Sequence, residues 1–596
     1  MTPAYGISWD DRKTRSVSLS ISWDDRKRRV ASAVSAAMFA AFAASAVTTA
    51  VAAAPHLLSV IVRANPGQQA SAEQLVGSLG GQVVQHIDLI NGLVAKVPSG
   101  ALPALAASGA VAEVSKDAHL QLQGDSYSQA GDVNSLYSVA TMDGAHAYWD
   151  AGYTGQGVDV ALIDSGVAPV NGLSAAGKVV NGPDLSFESQ SSSLRYLDTY
   201  GHGTHMAGII AGRDNAVGPS AVSSKDSTDF MGIAPNARVV SLKVADAHGQ
   251  TDVSQVIAAI DWVVQHRTDN GMNIRVLNLS FGTDSDQSYT LDPLAYAAEQ
   301  AWKKGIVVVV SAGNTGNTSG GLDDPASDPY VLAIAAADTM NTTNVGSHQA
   351  ASFTAQGTDQ RKPDFAAPGV HIASLRVPGS YLDQQYGGSA TVGNRFFRGN
   401  GTSQAAAVVS GAVALLLSQR PSLTPDQVKA LLMGHTKGIK SNDKLRGKGE
   451  LNLAAVLNTA TPNATQNFAA SSGTGSLDAS RGSHYVYDSN GNALRGEQDI
   501  FGHAFDASAM ASAEASSSAW SGGTFNGSSW SGSSWSGSSW SGASWSGSSW
   551  SGSSWSGSSW SGASWSGASW SGSSWSGSSW SGCDWDGASW SSDTWG

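Results

Sequence analysis

A serine hydroxyl is almost wholly protonated at neutral pH and becomes a nucleophile only with a base beside it. Ser403, in Gly401-Thr402-Ser403, is the candidate hydroxyl, and His202, in Gly201-His202-Gly203-Thr204-His205, is the candidate base. An imidazole that gains a proton during attack must be held in one tautomer and its cation stabilised, which a carboxylate on its other nitrogen does. Asp164, in Ala161-Leu162-Ile163-Asp164-Ser165-Gly166, has the chemistry for that role. Asn314 closes Ser311-Ala312-Gly313-Asn314, and its amide can donate to a developing oxyanion, with the Ser403 N–H as partner.

Elements that could hold these groups surround each of them. The apolar run 158–163 ahead of Asp164 and the run 305–310 ahead of the Asn314 stretch read as buried parallel strands. Sites in open α/β sheets lie at the carboxyl ends of such strands. His202 stands where 204–212 begins to read as a buried helix, and Ser403 opens a second helix, because 404–417 is almost entirely small or aliphatic. A nucleophile at a helix amino terminus gains from free backbone N–H groups and the positive dipole end.

The four stretches occur in the order Asp, His, Asn, Ser, and serine-triad enzymes on unrelated folds differ in that order. In this order the chain resembles the subtilase family of serine peptidases. Gly232-Ile233-Ala234-Pro235, Asn278-Leu279-Ser280-Phe281-Gly282, Pro325-Ala326-Ser327 and Lys362-Pro363-Asp364-Phe365-Ala366-Ala367-Pro368-Gly369 are also similar to subtilase segments, so the resemblance covers most of 145–456. It implies an α/β, subtilisin-like parallel sheet flanked by helices. It also implies a serine endopeptidase that hydrolyses peptide bonds of protein or peptide substrates through an acyl-enzyme on Ser403. Ser280, Phe281, Gly282, Ser311, Ala312 and Gly313 would then line the bound substrate. Subtilases usually continue the nucleophile motif as Gly-Thr-Ser-Met-Ala-x-Pro. This chain has Gln404 for the methionine, Ala406 at the variable place and Ala407 for the proline, and none of the three carries a catalytic proton.

Two neighbouring features bear on metal binding. His202 and His205 could be a short-spaced metal pair, but the glutamate that zinc helices of the peptidase type carry between their histidines is missing, and His205 reads as a packed structural histidine. No cofactor is needed for the chemistry. A structural calcium is implied by the resemblance and by a loop over 212–232 carrying Asp214, Asp226 and Asp229, since hard oxygen ligands suit calcium. The alternative is that these acids only solvate a surface loop.

At 596 residues, with 68 glycines and 20 tryptophans, the chain exceeds one domain. A net charge of −13 disfavours nucleic acid as a partner. The single cysteine, Cys583, excludes an intrachain disulfide. Residues 1–29 contain a duplication, Ile7–Lys13 recurring as Ile21–Lys27, and 30–54 hold an Ala-rich apolar stretch after Arg26-Lys27-Arg28-Arg29. That is signal-peptide grammar, with an uncleaved anchor as the alternative, and places the protein as secreted or at the cell surface. Residues 55–124 read as βαββαβ, similar to the ferredoxin-like α+β prodomain that inhibits subtilases and leads into their cleft. The catalytic domain is expected over 125–458.

Beyond it, 459–519 has the composition of a flexible linker. Residues 520–596 are a low-complexity Trp/Ser/Gly repeat tail with Trp every five residues from Trp530, a period that fits neither helix nor strand. It reads as a tether whose indoles could stack on cell wall or polysaccharide, with a solenoid as the alternative. A catalytically silent surface-binding protein using this tail is the competing function, and four intact catalytic positions argue against it.

Overall fold

The computed structural model describes residues 57–117 and 127–529, apart from 88–89, 190, 192, 317–319, 488–490 and 522. The duplicated N-terminal segment, the apolar stretch at 30–54 and the repeats from Trp530 lie outside the described residues. The rest falls into two compact units, one within 12–124 and one from 125 onward.

Alternating apolar residues build the first unit. It runs β1 (Leu57–Ala64), α1 (Gln69–Ser78), β2 (Gln82–Ile87), β3 (Gly92–Pro98), α2 (Leu102–Ala106) and β4 (Val111–Lys116). The sheet order is β2-β3-β1-β4 with every pair antiparallel. This is the split βαβ arrangement of ferredoxin-like folds. Val60, Val62, Val76, Leu93, Val97 and Leu105 fill its core. The last strand ends at Lys116.

The second unit is organised by strands buried on both faces, as parallel sheets covered by helices must be. They are β5 (Asp159–Asp164), β6 (Val179–Asp184), β7 (Arg238–Lys243), β8 (Ile274–Leu279), β9 (Val307–Ser311), β10 (Leu332–Asp338), β11 (Gln349–Ala350) and β12 (Phe365–Pro368). Their order is β11-β10-β9-β8-β5-β7-β6, with β12 beside β10. All pairs are parallel except β10 with β11, so the expected parallel sheet is mixed at that edge. β5, β8 and β9 are adjacent, and their carboxyl ends carry Asp164, Ser280 and the segment leading to Asn314.

Two buried helices bring the remaining groups to that edge: α3 (His202–Ala211) and, far along the chain, Thr402–Gln419. The second of these is long and apolar enough to cross a membrane, yet 89% of it is buried inside the protein. Between them come α4 (Val253–His266) and α5 (Pro293–Lys303); the Thr402–Gln419 helix is α6. It runs unbroken through Ala407, where the family usually has proline. Glycines permit close packing at two points. A β-carbon on Gly208 would meet Ser374 Oγ at 2.4 Å, and one on Gly411 would meet Ile233 Cβ at 2.6 Å.

The expectation of a flexible linker over 459–519 is overturned. Leu477, Val486, Leu494, Ile500, Phe501, Phe505 and Met510 belong to the main core, and α7 (Ala507–Ala515) follows. Arg481, fully buried, pairs with Asp252 at 2.7 Å, and Asp252 is the residue that caps α4. Tyr296 Oη donates to Ala511 O at 3.0 Å, and Trp520 Nε1 donates to Ala258 O at 2.8 Å. Three short strands between Trp520 and Ser529 form a small antiparallel sheet with Phe525 fully buried. The fold that begins after residue 125 therefore continues to Ser529, and the expected boundary at 458 falls inside it. Composition misled because the segment's apolar residues are isolated and its anchors are long-range hydrogen bonds and one buried ion pair.

Candidate active site

Asp164 ends β5 with its side chain 2% exposed. Its Oδ1 lies 2.8 Å from His202 Nδ1 and its Oδ2 3.0 Å. A carboxylate can only accept, so Nδ1 carries the hydrogen and Nε2 keeps its lone pair. No described protein group hydrogen-bonds to Nε2, and the ring is 13% exposed on the cleft it lines with Asn314 and Ser403. Burial works to lower the imidazole pKa, but the charge and hydrogen bond of Asp164 outweigh it and raise the value above the ordinary one.

The approach of α3 to β5 depends on Gly203, where a β-carbon would sit 2.1 Å from Gly166 O and 3.2 Å from Asp164 Oδ1. Gly201, the N-cap of α3, has no side chain to cap the helix. Asp198 does so from upstream: it accepts from Gly201 N at 2.6 Å and Thr204 N at 2.7 Å, and from Ser165 Oγ at 2.8 Å. Ser165 Oγ in turn accepts from Gly203 N at 2.9 Å. Burial raises the Asp198 pKa, partly offset by these hydrogen bonds. Asp198 and Ser165 thus fix the orientation of His202 against Asp164. Sequence reasoning missed both, although an acid shortly before a helix capped only by glycine was an available signal.

Ser403 is the second residue of α6 and 7% exposed. Its Oγ makes only a long 3.5 Å contact with Ser280 O, and it lines the same cleft as His202. Ser410 Oγ, two turns along α6, donates to Asn278 Oδ1 at 2.9 Å, and Asn278 Nδ2 donates to Ser280 Oγ at 2.9 Å, tying the helix to the end of β8.

Asn314 is oriented by Thr402, whose N–H and hydroxyl both donate to its Oδ1, at 2.9 and 3.0 Å. With the carbonyl side taken, Nδ2 faces the cleft. A β-carbon on Gly401 would lie 3.6 Å from Ser403 N and 3.7 Å from Asn314 Nδ2. Ser403 N and Asn314 Nδ2 are thus two donors on one side of Gly401, with Gln404 Oε1 the nearest atom to that same point, at 2.7 Å. Thr402 was not singled out from sequence, and its role explains the middle residue of Gly-Thr-Ser.

His205 lies one turn along α3, buried, with neither ring nitrogen hydrogen-bonded. Burial, then the neighbouring His202, push its pKa down to about 3, so it is a neutral packed ring, as expected. Gln404 joins it in the cleft wall. Two of the acids of the 212–232 loop already have partners within the protein. Asp214 pairs with Arg395 through both oxygens and accepts from Phe230 N at 3.0 Å. Asp226 accepts from Thr228 N and Asp229 N in its own turn. No cluster of three or more potential ligands occurs among the described residues.

Residues 155–475 match the model of the subtilase family, Peptidase S8. The chain belongs to the subtilase family. It is 36% identical over 307 residues to serine protease AprX of Bacillus subtilis, an overlap that covers 50% of this chain and 66% of AprX. Minor extracellular protease Epr of Bacillus subtilis is 33% identical, with 47% of this chain and 35% of Epr covered. The chain thus spans between a third and two thirds of these relatives' lengths. Subtilisin amylosacchariticus, from Bacillus subtilis subsp. amylosacchariticus, is 30% identical over 394 residues, 65% of this chain and 86% of that protein. Fervidolysin from Fervidobacterium pennivorans overlays with a TM-score of 0.44 at 23% identity, covering 74% of this chain and 65% of its own.

Proposed function

We propose that the protein is a secreted serine endopeptidase that hydrolyses peptide bonds through an acyl-enzyme on Ser403. The observation that carries this reading is the single cleft in which an Asp164-oriented imidazole with a free Nε2, the Ser403 hydroxyl and the Asn314 amide meet. His202 takes the hydroxyl proton as Ser403 attacks the carbonyl carbon, Asp164 stabilises the resulting imidazolium, and Asn314 Nδ2 with Ser403 N holds the oxyanion. His202 then gives that proton to the leaving amine, and water repeats the sequence on the ester. Ser280–Gly282 and Ser311–Gly313 flank the bound substrate.

Within the same proposal, 55–124 is an inhibitory prodomain and its removal is self-catalysed. The antiparallel βαββαβ unit supports this, as does its place ahead of the catalytic unit. Secretion is supported by the basic and apolar stretches before residue 54 and by the extracellular character that the name of Epr records. The Trp repeats serve attachment to cell wall or polysaccharide. The test is hydrolysis of a casein or peptide substrate by the full chain beside Ser403→Ala. The proposal expects turnover and release of 55–124 in the first and neither in the second. A Ser403→Ala chain that matures alone would contradict self-cleavage, and one that still hydrolyses would contradict the catalytic assignment.

A further inference from the structure

The two segments assigned to substrate end the adjacent strands β8 and β9, and each presents a glycine to the same side chain. A β-carbon on Gly313 would lie 2.5 Å from both Cγ and Oδ2 of Asp323, and one on Gly282 would lie 2.7 Å from its Cβ and 3.3 Å from its Oδ2. The Asp323 carboxylate therefore sits against two bare backbones. Its own backbone is pinned there: Asp323 N donates to Ala312 O at 3.2 Å, and Asp324 and Thr283 exchange hydrogen bonds of 2.9 and 3.0 Å. Both segments touch the nucleophile's end of α6, through Ser403 Oγ with Ser280 O and through Gly313 N donating to Thr402 Oγ1 at 3.3 Å.

Asp323 Oδ1 is buried and accepts no hydrogen bond. Neighbouring Asp284 differs, since it accepts from Ser483 N and Ser483 Oγ at 2.6 Å each. Burial, then the charge of Asp284, hold the Asp323 carboxyl up at about 7, the behaviour of a carboxylate without a cation. No Lys or Arg among the described residues pairs with it. A buried carboxylate is costly unless it is paired or protonated, and Asp323 is left able to take a cation from outside the chain.

We propose that Asp323 selects lysine or arginine at the residue whose carbonyl Ser403 attacks, the long cationic side chain passing between the 280–282 and 311–313 segments to pair with this carboxylate. This rests on the peptidase reading above and deepens it. The Asp323 side chain occupies the space that side chains at Gly282 and Gly313 would fill, and it supplies the charge that a slot walled by backbone lacks. Asp284 adds negative potential beside it and disfavours acidic residues in the same slot.

The test uses the active enzyme with peptide anilides that differ only in the residue before the scissile bond: Arg, Lys, Phe, Leu and Glu. The expected wild-type kcat/KM is at least about tenfold higher for Arg and Lys than for Phe or Leu, with Glu poorest. Asp323→Asn should lose about 10- to 100-fold on Arg and Lys, mainly in KM, while Phe changes less than about threefold. Benzamidine should compete with Arg substrates on the wild type and not on the variant. A wild type that prefers Phe, Leu or Glu, or that benzamidine does not inhibit, overturns the proposal while leaving the peptidase reading intact. So does an Asp323→Asn chain that labels normally with a fluorophosphonate yet loses all five substrates equally. If the wild type neither labels nor cleaves any substrate, the peptidase reading itself fails. If Asp323→Asn does not fold, the wild-type preference and benzamidine competition decide alone.

Discussion

His202 with Asp164 and His348 with Glu450 are the same pair of chemical groups in two places, and the contact of the second ring nitrogen separates their roles. His348 Nδ1 lies 2.9 and 3.0 Å from the Glu450 oxygens, its Nε2 lies 2.9 Å from Thr342 O, and both side chains are fully buried. With Glu450 ionised, both ring nitrogens face acceptors, which only an imidazolium can satisfy. Burial works against that charge, but the hydrogen bond and charge of Glu450 prevail and raise the His348 pKa. His202 has the same first contact and no second. One nitrogen is held and the other is left with its lone pair on the cleft. A histidine beside a buried carboxylate is a structural cross-link when both nitrogens are spent and a base when one is free.

The largest effect that could break this contrast is on turnover. His202→Ala and Ser403→Ala should each lower kcat by about 10⁴- to 10⁶-fold, whereas His348→Ala should leave the kcat of the folded fraction within a few-fold. Steady-state rates on a peptide anilide, corrected for active sites, distinguish them. Next comes Asn314→Ala, expected to cost about 10²- to 10³-fold in kcat with little change in KM, since its amide binds charge that exists only in the transition state.

His348→Ala should instead appear in stability, at roughly 3–5 kcal/mol, because it leaves Glu450 buried and alone. The sign with pH follows from the raised pKa. The pair's contribution is full below about pH 6.5, where the unfolded histidine is also protonated, and fades as pH rises through the higher folded value. Denaturant midpoints of the wild type and His348→Ala should therefore converge on going alkaline. For His202 the same direction of shift acts on rate. Neutral imidazole is the working form, so kcat/KM should rise with pH along a limb whose inflection lies above about 6.5. A limb that survives Asp164→Asn at the same pH would remove Asp164 as its cause. The smallest effect expected is from deleting 530–596, which should leave kcat/KM unchanged. Deletion from 459 should lose the fold as well, since it strips Phe501, Phe525 and the Arg481 anchor from the core.

The contrast was half legible in sequence. Asp164, His202, Asn314 and Ser403 stand in short glycine-rich stretches at strand ends and helix starts, so residue type and local element agree and the roles follow. Glu450 is 102 residues from His348, and no local pattern announces the pairing. Asp198, Ser165 and Thr402 lay beside the named motifs but act through backbone groups that only folding brings into reach. Asp323 was passed over because its meaning depends on Gly282 and Gly313 converging from two strands. The 459–529 extension was misread for the same reason, with Arg481 finding Asp252 across 229 positions.

The most direct test of the free nitrogen at His202 is fluorophosphonate labelling of the purified chain across pH, with the labelled residue mapped by peptide analysis. The expected result is one equivalent on Ser403, at a rate that rises with pH through an inflection above about 6.5 and collapses in His202→Ala. Label on another residue, or a Ser403 rate that His202→Ala leaves unchanged, would contradict the assignment of His202 as the base.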